Sequence, residues 1–148
     1  MRGQAPSQLE MLTPVTPDHF VPRDHPLRKV KALADEALAQ LSDGFEGLYS
    51  KRGRRSIPPE YLLKSMLLMA FFSVRSERQL CEQLRYNLLF KWFLDMNIGD
   101  EPFDHSVFTK NRERLMNHDV ARQFFDAVKE QAHAQGLGGS TPPRNLVP

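Results

Sequence analysis

The chain has 148 residues, 41% hydrophobic and 26% charged, with a formal net charge of +2: enough apolar residue for one domain with a buried core, too much for a disordered chain. Its one cysteine, Cys81, excludes an internal disulfide. The opening MRGQAPSQLEMLTP lacks an apolar signal core, and the longest apolar run, Met66 to Phe72, is far short of the ~20 residues that cross a bilayer, so a cytoplasmic protein is expected.

Residues 1–24 hold Pro6, Pro14, Pro17 and Pro22, a density that breaks helices and predicts an extended arm. Pro26 suits the first turn of a helix. Leu27, Val30, Ala34, Ala37, Leu38 and Leu41 then follow amphipathic spacing, with Gly44 and Gly47 as the stop. SKRGRRS (50–56) reads as a basic loop. IPPEYLLKSMLLMAFFSV (57–74) opens on Pro58 and Pro59 and is apolar nearly all round, as a helix at the centre of a bundle would be.

Ser76 and Gln79 form the S-x-x-Q signature of a capping box. The helix they start runs through ERQLCEQLRYNLLFKWFL, with Leu80, Leu84, Leu88 and Trp92 at spacing four and a break near Tyr86-Asn87. DMNIGDEP (95–102) is a turn-rich loop. Asp104 or Ser106 can cap the helix that follows, and Asn117 or Asp119 the last one. That last helix carries Val120, Phe124, Val128 and Ala132 on one face and ends at Gly136. No segment alternates apolar and polar residues. The expected fold is all-α, a compact bundle of five or six helices. It comprises an arm (1–24), a helical domain (25–137) and a disordered tail, GGSTPPRNLVP (138–148).

Few residues point to catalysis. His19, His25, His105, His118 and His133 include no i, i+4 pair, so no structural zinc site is expected. Asp95, Asp100, Glu101 and Asp104 lack the alternating oxygen ligands of a calcium loop and read as a solvated acidic loop. Cys81, set between leucines, reads as a packed thiol. There is no glycine-rich phosphate loop. No catalytic residue, metal ligand or cofactor is expected.

The cations are patterned. Lys110, Arg112 and Arg114 crowd one short helix, with Thr109 and Asn111 beside them. Composition leaves three readings open: a solvated face, a partner face, or a helix lying on DNA. On the DNA reading, Thr109, Asn111 and Arg112 suit base edges. Lys51, Arg52, Arg54, Arg55, Arg75, Arg78, Arg85, Lys110 and Arg114 suit phosphates. Residues 76–86 and 104–115 would then form a helix-turn-helix-like element, interrupted by more than the usual turn.

FVPRDHPLRKVKALADEAL (20–38), YSKRGRRSIPPEYLLKSMLLMAFFSVRSERQLCEQLRYNLLFKWFLDM (49–96) and DHSVFTKNRERL (104–115) resemble, in order and spacing, the N-terminal domain of InsH-like insertion-sequence transposases of the DDE class. The resemblance covers about residues 11–137. It implies double-stranded DNA as partner and terminal inverted repeats as target. It also implies a following RNase H-like domain whose Asp, Asp and Glu hold two magnesium ions. The likeness stops after Leu137, and no residue here corresponds to that triad. The expectation is a DNA-binding domain in a truncated transposase, not itself an enzyme, with magnesium belonging to the missing catalytic domain. The rival expectation is a helical interaction module that pairs with another copy or with intact transposase and inhibits it. Exposure of Phe90, Phe93 and Leu94 would favour the rival. Neither a membrane nor a small-molecule substrate is expected.

Overall fold

A proline pair sets the start of the central helix. In the computed structural model, which describes residues 14–45, 57–117 and 119–136 (the backbone alone for 43–45), Pro58 holds the N-cap position and Pro59 opens α2 (Pro59–Phe71). Neither position needs an N–H, and the fixed φ of proline already suits a first turn. Leu62, Leu63, Leu67 and Leu68 of α2 are all buried. They cover two sides of the helix, which packs on both α1 (Leu27–Phe45) and α5 (His105–Asn117). Each buried leucine contributes roughly 1.5–3 kcal/mol of hydrophobic stabilisation.

Six α-helices and one 3-10 turn make up the described fold, an all-α bundle. The remaining helices are α3 (Glu77–Tyr86), α4 (Leu88–Phe93) and α6 (Val120–Ala134). α1 lies along α6, and α5 packs on α3, α2 and α6. The core draws Leu27, Ala34, Ala37 and Leu38 from α1, Leu80 and Leu84 from α3, Phe90 and Phe93 from α4, Phe108 and Leu115 from α5, and Phe124 from α6. α6 stops as its sequence predicts: Gly136 takes φ +73 just past the C-cap, and its N–H donates to the His133 carbonyl at 3.0 Å.

Within the described part of the arm, residues 14–24, one turn of helix interrupts the extended segment expected. Pro17 opens a one-turn 3-10 helix, Pro17–Phe20, which packs against α4. Four prolines forbid a long helix but not one turn, and a single arginine fixes this one. Arg28 of α1 donates to the Asp18 carboxylate (2.9 Å) and to the carbonyls of Asp18 (3.3 Å), Val21 (2.7 Å) and Pro22 (2.9 Å). Its guanidinium lies 5.1 Å from the centre of the Trp92 ring, and the Trp92 indole N–H donates to Asp18 at 3.0 Å. Hydrogen bonds from Arg28, then Trp92, hold the Asp18 carboxyl below its ordinary value.

Two lysines are taken out of solvent. Lys64 of α2, only 3% exposed, pairs with Asp35 of α1 and with Asp95 just after α4 (3.0 Å). Lys31 bonds the same two carboxylates at 2.8 and 2.9 Å. This square of charges ties α1, α2 and the end of α4 together, and burial of a lysine is tolerable because both partners are present. Lys91, also buried, donates to the carbonyl of Asp100 and pins the loop that leads into α5.

Candidate nucleic-acid interface

α3 and α5 are built at their starts by short polar residues. The Ser76 hydroxyl accepts from the Gln79 N–H at 3.1 Å, which is the Ser76 half of the expected capping box. The chain breaks at Asn87 as its sequence suggests. The Asn87 side-chain oxygen Oδ1 accepts from the N–H groups of Leu89 (3.0 Å) and Phe90 (3.2 Å), starting α4 with only Asn87 between it and the end of α3. α5 begins at His105, so Asp104 holds the cap position and its backbone carbonyl accepts from Phe108 N–H at 3.0 Å. Ser106 sits inside the first turn and donates to the Asp104 carboxylate. That hydroxyl, helped by the charge of His105 and first-turn N–H groups, outweighs burial and keeps the Asp104 carboxyl below its usual value.

On the shared surface, Arg78 of α3 lies 3.4 Å from His105 Nε2 of α5. Arg75, Arg78, Arg85, Thr109, Lys110 and Arg114 are exposed. Arg85 approaches Glu101 at 3.8 Å, a loose pair in which both side chains are mostly in solvent. Residues 87–104, including all of α4, intervene between α3 and α5, and the two helices nonetheless pack together.

Two of the three expected base-reading residues are engaged inside the protein. Asn111 is 7% exposed, and its side-chain N–H donates to the Val107 carbonyl at 2.7 Å. The reason is legible in the spacing: Asn111 stands three after Phe108 and four before Leu115, on the face those residues bury. Arg112 pairs with Glu77 of α3. Thr109 is exposed, its hydroxyl donating to the His105 carbonyl at 3.0 Å. Lys51, Arg52, Arg54 and Arg55 lie outside the described residues.

Phe90, Phe93 and Leu94 are buried in the core with Trp92, so they form no apolar patch for a partner. Cys81 is half-buried and its thiol is pushed up to about 11, first by burial and then by the charges of Asp104 and Glu77. An open cavity of about 290 Å³ lies beside the arm, and its charged liners Asp18, Lys31 and Asp95 are already bonded to neighbours. Among the described residues no group of three or more His, Cys, Asp or Glu is gathered as for a metal ion. No described helix is long and apolar enough to cross a membrane.

Sequence reasoning missed Glu77 as the partner of Arg112, and also the Lys31–Lys64–Asp35–Asp95 square. Lys64 carried a usable signal, standing among leucines on a helix that is apolar nearly all round.

The fold and this surface define a small all-α domain that displays cations on two packed helices. The sequence matches the family model Transposase domain (DUF772) over residues 15–114, and the chain belongs to that family. The match begins in the arm and runs through most of α5. No curated protein and no solved structure matches the chain.

Proposed function

We propose that this chain is a double-stranded-DNA-binding domain of a transposase, which recognises the terminal inverted repeats of its element through α3 and α5. The observation that carries this reading is the packing of two surface helices whose exposed residues include Arg78, Arg85, Lys110 and Arg114, with Arg75 exposed just before α3. Membership of a transposase family supports it. Helices that lie on duplex DNA take orientation from phosphate contacts and sequence from a few side chains at base edges. Here Arg75, Arg78, Arg85, Lys110 and Arg114 take phosphates. Thr109, exposed on α5, approaches the groove. Asn111 serves the fold instead, holding the carbonyl of Val107.

The test is the salt dependence of duplex binding by Arg78→Ala and Lys110→Ala. Each change should flatten the slope of log K against log salt by about 0.9, the value of one phosphate contact. Slopes equal to the parent's for both variants would contradict the assignment.

A further inference from the structure

Arg112 sits where α3 and α5 meet. Its guanidinium pairs with the carboxylate of Glu77 in the first turn of α3, the two side chains being 41% and 23% exposed. A half-exposed pair contributes little to folding. The buried residues Leu80, Leu84, Phe108 and Leu115 hold the two helices instead. Ser76 caps α3 independently of Glu77. The pair therefore matters less for the fold than for what Arg112 can do.

A guanidinium fork fits a carboxylate, a phosphate and the acceptor edge of guanine equally well. Glu77 thus occupies the position that a DNA acceptor would take on Arg112. Resting on the DNA-binding reading above, we infer that Glu77 is a brake on DNA binding: it holds Arg112 in an internal ion pair that duplex DNA must displace. Displacement penalises every duplex. A site that offers Arg112 a well-placed pair of acceptors recovers the loss, and a random duplex does not. Specificity then comes partly from weakening the wrong complexes. This also accounts for a base-reading type of residue that is not free in the unbound protein.

The test compares the full chain with Glu77→Gln, Arg112→Ala and the double variant, by fluorescence anisotropy against a random duplex and the duplex flanking the gene. Glu77→Gln should tighten binding to the random duplex and steepen its salt slope by about 0.9, so its advantage changes about threefold over a fourfold range of salt. Its preference for the flanking duplex should fall. In the Arg112→Ala background the same change should do neither; Arg112→Gln replaces alanine if that variant fails to fold. An equal gain in both backgrounds would reduce Glu77 to a surface charge and overturn the brake, as would no gain at all. If the parent chain binds no duplex even at low salt, the DNA reading falls and the brake with it. Normal parental binding with additive changes removes the brake alone.

Discussion

Single side chains decide more here than their number suggests. Arg28 uses Nε, Nη1 and Nη2 to hold one carboxylate and three carbonyls of the arm, and it lies over the ring of Trp92. Arg28→Ala should free the arm and lower stability by about 2 kcal/mol, because carbonyls lose a charged donor and the ring loses its cation. The chain has one tryptophan, so denaturant unfolding followed by Trp92 fluorescence reads the loss, and an unchanged midpoint would contradict the clamp. Ser65 presents the opposite case. Its hydroxyl is fully buried without a partner among the described residues. Ser65→Ala removes an unsatisfied group at little cost in volume, and should raise stability by about 1 kcal/mol in the same measurement. A loss of stability would mean that the hydroxyl has a partner.

At the scale of elements, local signals carried well. The break at Tyr86-Asn87, the Ser76 cap, the proline start of α2 and the glycine stop of α6 are each written in a few adjacent residues, and each is present in the structure. Asn87→Ala should cost about 1 kcal/mol, since two first-turn N–H groups of α4 lose their acceptor; an equilibrium denaturation midpoint checks it. What the chain hides is pairing between distant elements. Arg112 and Glu77 are 35 residues apart, and Lys64 and Asp95 are 31 apart, so no local pattern joins them. The burial of Asn111 is legible from its place between Phe108 and Leu115, on the face of α5 that those residues bury.

The charge square also sets a pH response. Burial raises the Asp95 carboxyl, but hydrogen bonds from Lys31 and Lys64 outweigh this and leave it below 3.8. A carboxyl depressed on folding stabilises the fold above its unfolded value and loses that contribution as pH falls through the folded one. Lys31 shifts the other way: burial lowers it, but Asp35 and Asp95 carry it above 10.5. Its contribution is present below that value and lost as pH rises through the higher one. Stability should therefore fall on acidification below about pH 4, and Asp95→Asn should flatten that acid limb. A parental acid limb unaltered by Asp95→Asn would show that the square does not set it.

Over the whole molecule, two features bear on function. One end of the bundle is locked by the arm, Arg28 and Trp92. Elsewhere α3 and α5 carry the exposed cations Arg78, Arg85, Lys110 and Arg114, with Arg75 just before α3, and the Glu77–Arg112 pair joins the two helices. The bundle itself specifies no chemistry, because folds of this kind host many functions; the functional reading rests on that surface and on the family. The most direct test is a fluorescence anisotropy titration of the full chain at two salt concentrations, with the duplex flanking its own gene and with a scrambled duplex. The account predicts tighter binding to the flanking duplex by about tenfold or more, ~1.4 kcal/mol, on top of a strong salt dependence. Binding to neither duplex would contradict it, and would leave the cations of α3 and α5 as a solvated surface.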